Sequence, residues 1–156
     1  MALKDLRTEI DEAVTAIFAP DFTFEVTDTS GVPHSSDAAI TFPNFDQKYQ
    51  RTKLLETTVL YVDMRRSTDL SFQHRRPTVA KLYTAFVLAM TRAATYHGGE
   101  VRGIIGDRVM VIFEQADCFT KAFDTAILIN SVCKYIINTR FKHNEVEFGI
   151  GIDPVA

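Results

Sequence analysis

Asp63 and Asp107 are the residues whose setting could do chemistry. Asp63 ends an apolar run, TTVLYVD, and Asp107 follows Gly106 between the runs VRGII and RVMVIFE. Directly after Asp63 come Met64, Arg65, Arg66, Ser67 and Thr68. Carboxylates that share a site repel each other, and a divalent cation between them lets both stay ionised. Oxygen donors suit magnesium or manganese, whose coordination the phosphates of a substrate often complete. Two arginines supply fixed charge for those phosphates, and backbone N–H groups at a strand-to-helix transition would add to it. Either aspartate alone is an ordinary turn residue. The chemistry depends on whether the fold brings the two together. His34, His74, His97 and His143 are scattered without metal-ligand spacing and are assigned no role.

The elements around the aspartates predict that it does. Residues 57–64 (TTVLYVDM) are β-branched, aromatic and apolar almost throughout, the pattern of a central strand buried on both faces. A helix over 76–97 follows, with Pro77 in its first turn, Leu82, Phe86, Met90 and Ala93 on one stripe, and His97-Gly98-Gly99 at its end. VRGII and RVMVIFE around Gly106-Asp107 read as a hairpin. A second long helix is expected over 117–140, capped by Asp117 and burying Phe119, Ala122, Phe123, Ala126, Ile129, Cys133 and Ile136. EVEFGIGI is the last strand. The order is β-α-β-β-α-β, an α+β, ferredoxin-like fold with an antiparallel sheet and helices on one face. The first strand then pairs with the third, which sets Asp63 beside Asp107.

Ahead of this domain lies a different text. Leu3, Leu6, Ile10, Val14 and Ile17 recur at three- and four-residue spacings, so a helix is expected over 3–18, closed by Pro20. FTFEV (22–26) alternates like a short strand, and 27–44 is rich in turn residues. Residues 1–55 are read as an N-terminal helix and arm, and 56–156 as the catalytic domain.

With 156 residues, 46% of them hydrophobic, the chain can bury a substantial core. A net charge of -3 gives no sign of a nucleic-acid or anionic-membrane partner. No apolar run is long enough to span a bilayer, and two cysteines make a disulfide framework unneeded. A cytoplasmic location is expected.

YVDMRRST and HGGEVRGIIGDRVMVIFE resemble the catalytic domain of the class III nucleotidyl cyclases, and the resemblance runs on to EFGIGID. It implies a two-metal reaction, with Mn2+ or Mg2+. The ribose 3′-hydroxyl of a nucleoside triphosphate attacks the α-phosphorus, and pyrophosphate leaves. Asp63 and Asp107 would hold both ions, helped by the backbone carbonyl of Met64, while Arg65, Arg66, Ser67 and Thr68 would face the phosphates. Adenylyl and guanylyl members place a Lys or a Glu four positions before the second metal aspartate, to read the purine. Here that position is Gly103, which has no side chain to do so. Arg102 could donate instead, although strict alternation puts it on the opposite face.

The wider wording, including LETTVLYVDMRRST, NSVCKYIIN, VPH and TFPNFD, is similar to the bacterial pyrimidine cyclases of the Pycsar anti-phage system. That similarity implies cyclic UMP or cyclic CMP, with UTP slightly favoured as substrate, made for a separate effector protein. It also implies a homodimer with shared active sites, the partner covering the substrate face of the sheet. Tyr49 is a candidate contact for the base. Three alternatives stay open: an adenylyl or guanylyl cyclase, a silent cyclase-like domain that dimerises or binds nucleotide, and a palm-type nucleotidyl transferase. The family pattern continues beyond the GIGID strand, into residues that stabilise the transition state. The catalytic domain is therefore expected to be truncated at its C-terminus, and residues 1–156 alone are expected to be inactive or nearly so.

Overall fold

The computed structural model describes residues 3–34, 49–142 and 146–155. The chain divides into two compact units, Met1–Leu55 and Glu56–Ala156.

In the first unit the spaced apolar residues form α1 (Leu3–Ile17). Their stripe exists, but Leu3, Leu6, Ile10, Val14 and Ile17 all stay exposed. β1 (Thr23–Asp28) pairs in parallel with β2 (Tyr49–Leu54), from Thr23 opposite Tyr49 to Asp28 opposite Leu54. β2 was not legible as a strand, because YQRTKL mixes charged and apolar residues without alternation. The TFPNFD stretch lies outside the described residues.

The second unit holds the core. It runs β3 (Thr57–Met64), α2 (Ser67–Gln73), α3 (Arg76–Tyr96), β4 (Gly99–Ile105), β5 (Arg108–Phe113), α4 (Cys118–Val132), a π-helical turn (Cys133–Ile137), α5 (Asn138–Phe141) and β6 (Phe148–Val155). The sheet order is β4-β5-β3-β6, and each neighbouring pair is antiparallel. This is the expected topology, with the first strand of the domain paired to the third. The buried cluster joins Leu60, Val62 and Met64 of β3 and Val109, Val111 and Phe113 of β5 to Leu82, Phe86 and Met90 of α3 and Ile129 of α4. Phe86 stacks on Phe148 with ring centroids 5.2 Å apart.

Three expectations need correction. β3 is central but not buried on both faces: Leu60 and Val62 are fully buried, whereas Tyr61 is 40% exposed and Val59 and Asp63 are half-buried. All the helices come from connections that fall on one side, so the other face stays open. The second long helix is not continuous. At the end of the π turn the buried position is Ile137 and Ile136 is exposed; Phe119 and Phe123, upstream of that turn, are exposed on the regular part of α4. Asp117 stands at the helix start, but in a left-handed conformation (φ 56°) and without a capping side-chain bond.

Two local devices fix the hairpin and the last strand. Gly98 has φ +76°, which ends α3, and a Cβ on Gly99 would come within 2.6 Å of Val111 Cγ1. The pair Gly98-Gly99 is thus one glycine for conformation and one for close packing. At the other end, the side-chain amide of Asn138 donates to the Val146 carbonyl (3.0 Å), and Val146 N–H donates to Asn138 Oδ1 (2.8 Å). That clamp ties the helix end to the start of β6. Cys133 is buried beneath α4, and desolvation pushes its thiol up to about 12.

Candidate active site

The antiparallel register sets Asp63 of β3 directly opposite Arg108 of β5, with Asp107 in the adjoining turn. Gly106 takes φ +60°, so the Gly106-Asp107 turn can be two residues long. The backbone there is stitched across: Met64 N–H donates to the Asp107 carbonyl (3.2 Å), and Arg65 N–H donates to the Glu147 carbonyl (2.8 Å). These bonds hold both aspartates and the following loop at one end of the sheet. Arg66 then adopts a left-handed conformation (φ 57°), and α2 starts at Ser67.

A cavity of about 520 Å³ opens at this end. Asp63, Met64, Arg65, Arg66, Ser67, Thr68 and Asp107 all line it, together with Ile105 and Arg108. The fold therefore assembles the two separated motifs in one recess. Met64 can contribute only backbone, since its side chain is 2% exposed and lies in the core. α2 is two turns long, so the positive charge of the recess comes chiefly from the arginines rather than from a helix dipole. Arg66 lies at the rim, its Nε 3.2 Å from Asp69 Oδ2.

Arg108 and Gly149 escaped the sequence reading. Arg108 Nη2 sits 3.0 Å from Asp63 Oδ2. The hydrogen bond to Asp63, and then the negative charge of Asp63 and Asp107, hold the guanidinium more firmly in its charged form. The two-residue turn itself puts Arg108 opposite Ile105; its place opposite Asp63 comes from the β3–β5 register, which the local sequence does not announce. Gly149 of β6 is also opposite Asp63. An added Cβ there would stand 3.4 Å from Arg65 Nε, so the missing side chain is space used by the arginine.

Gly103 and Arg102 are not among the residues that line the recess. Gly103 pairs with Met110, and a Cβ on it would meet nothing nearer than 3.8 Å. Packing does not require this glycine. The ladder slips between Val101 and Gly103, so Arg102 is the extra residue of a bulge and strict alternation does not hold there. Tyr49 belongs to the first unit, where its hydroxyl donates to Glu25 (2.5 Å) and its acidity is weakened chiefly by that bond.

The donor set fits a hard divalent cation: two carboxylates and backbone oxygens, with no cysteine or histidine in the lining. A positive group, the Arg108 guanidinium, already sits on Asp63. Among the described residues no three His, Cys, Asp or Glu side chains group into a metal cluster. Among the described residues the carboxylates lining the recess are Asp63 and Asp107, with the Ser67 and Thr68 hydroxyls beside them.

No protein-family model matches the chain. A uridylate cyclase of Burkholderia cepacia is 30% identical over 114 residues, 73% of this chain and 47% of that protein. The adenylyl cyclase CyaB from P. aeruginosa superposes with a TM-score of 0.59 at 22% identity, over 63% of this chain and 55% of that chain. The guanylyl cyclase Cya2 does so with a TM-score of 0.57 at 23% identity, over 64% and 55%. The chain thus has the fold of the class III nucleotidyl cyclase catalytic domains. Its sequence kinship includes a uridylate cyclase, and it spans about half the length of that curated relative. Among the described residues no helix is long and apolar enough to cross a membrane.

Proposed function

We propose that the protein is a nucleotide cyclase that converts a pyrimidine nucleoside triphosphate to its 3′,5′-cyclic mononucleotide and pyrophosphate. The observation that carries this reading is the convergence of Asp63, Asp107 and the 64–68 loop on one recess at the open face of the sheet. Asp63, Asp107 and the Met64 carbonyl would hold two Mg2+ or Mn2+ ions. When bound, such ions lower the pKa of an attacking hydroxyl and offset charge on a leaving pyrophosphate. The chain's own contribution is positioning and charge: Arg65, braced over Gly149, and Arg66 face the phosphates, with Ser67 and Thr68 beside them.

UTP is favoured slightly over CTP. Support for a pyrimidine comes from the uridylate cyclase relative and from Gly103, where a purine-reading side chain is missing. The open sheet face, with Tyr61 exposed beside Asp63, suits a homodimer whose partner completes each site. The product would be a second messenger of anti-phage defence, read by a separate effector in the cytoplasm.

The test is incubation of a form that extends past residue 156 with equimolar ATP, GTP, CTP and UTP and Mn2+, followed by identification of the product. Cyclic UMP, with cyclic CMP as minor product, is expected. Cyclic AMP or cyclic GMP as the main product would overturn the pyrimidine reading. Asp63→Asn and Asp107→Asn are each expected to abolish turnover while changing unfolding free energy by no more than about 1 kcal/mol. Undiminished turnover in either variant would defeat the metal assignment.

A further inference from the structure

We propose that Arg108 competes with the divalent cation for Asp63 and, once displaced, turns to the triphosphate. It is a positioning residue that couples metal binding to nucleotide binding. The inference rests on the reading of Asp63 as a metal ligand and adds a step to it. Arg108 and Asp63 are directly opposite across an antiparallel pair, so their side chains leave the sheet on the same face. Nη2 lies 3.0 Å from Oδ2, full hydrogen-bond range for a charge-assisted pair. A guanidinium on Oδ2 and a divalent ion brought to the same carboxylate repel each other, so each weakens the other's hold on Asp63.

The arginine is built to give way. Its side chain is 58% exposed, against 42% for Asp63, and it lines the same recess as Arg65 and Arg66. Rotation about its stem would carry the charge from the aspartate into that recess. There a triphosphate offers oxygens that suit a guanidinium fork. Without nucleotide, leaving Asp63 costs the ion pair and gains only water. With nucleotide present, the lost pair is replaced by a phosphate contact. Metal should therefore bind more tightly when the nucleotide is present, and part of that gain should pass through Arg108.

The experiment measures Mn2+ binding by electron paramagnetic resonance on the full chain. It is run without nucleotide and again with a non-hydrolysable UTP analogue. Wild type is compared with Arg108→Met, Arg108→Lys and Asp63→Asn, all checked for folding by thermal melting. Without nucleotide, Arg108→Met is expected to bind Mn2+ about two- to fivefold more tightly, the value of an exposed ion pair. The analogue should then raise its Mn2+ affinity less than it raises that of wild type, with Arg108→Lys in between. Asp63→Asn should lose Mn2+ binding whichever residue stands at 108. Unchanged or weaker Mn2+ binding in Arg108→Met, with binding lost in Asp63→Asn, overturns the competition and leaves the metal site standing. Undiminished Mn2+ binding in Asp63→Asn overturns the metal reading itself, and the competition with it.

Discussion

The two faces of one sheet differ in how they are covered. On β3, Leu60 and Val62 point to the helices and are fully buried, while Tyr61 and Asp63 between them point the other way. β5 repeats the division: Val109, Val111 and Phe113 are buried, and Arg108 is exposed. The covered face is held by apolar packing, with Thr58 bonded to Cys118 Sγ within it, and tolerates little change. The open face carries the Asp63–Arg108 ion pair beside the half-buried Val59, Met110 and Ile112. A strand's two-residue period is what separates the jobs, because adjacent residues can serve stability and chemistry without sharing an environment. The difference teaches where change is tolerated: a site can vary on a sheet whose other face does the folding.

Substitutions on neighbouring residues test that division. Leu60→Ala leaves a cavity in the covered face and is expected to cost about 2–5 kcal/mol in chemical denaturation. A loss below that range would mean the core relaxes around the gap and is less tightly packed than its burial indicates. Gly99→Ala comes next. Its methyl would press on Val111 and Phe113, and a cost of about 1–3 kcal/mol is expected. An unchanged midpoint would show that the β4 edge shifts freely. Tyr61→Ala, one residue from Leu60, should cost about 1 kcal/mol or less at low protein concentration. A cost matching that of Leu60→Ala would break the comparison, since the open face would then be covered in solution.

Much of this was legible along the chain. The stripe Leu82, Phe86, Met90 and Ala93 is buried as its spacing predicts, because a straight helix keeps its period for five turns. The same argument failed on the second long helix, where Ile137 rather than Ile136 is buried at the end of a π turn. No residue type announces such a turn. β2 was hidden for a different reason: its pairing with β1 depends on backbone hydrogen bonds, which YQRTKL does not signal by its side chains. At the site, the members of the recess from Asp63 to Thr68 and Asp107 were visible as motifs. Arg108 was passed over because an arginine in a strand usually reads as surface, and Gly149 because a missing side chain carries no signal until its neighbour is known.

The sequence by itself determined the order of elements, the hairpin about Gly106-Asp107 and the identity of the two carboxylates. Those follow from local rules: glycine conformations, hydrophobic periods and the breaks between them. Only the tertiary structure decided which face of β3 is open, that Arg108 lies 3.0 Å from Asp63, and that Arg65 occupies the space over Gly149. The physical reason is that periodicity reports which residues share a side of an element, whereas burial and ion pairing depend on what stands opposite. Strand register supplies that opposite residue, and register is set by pairing between segments far apart in the chain.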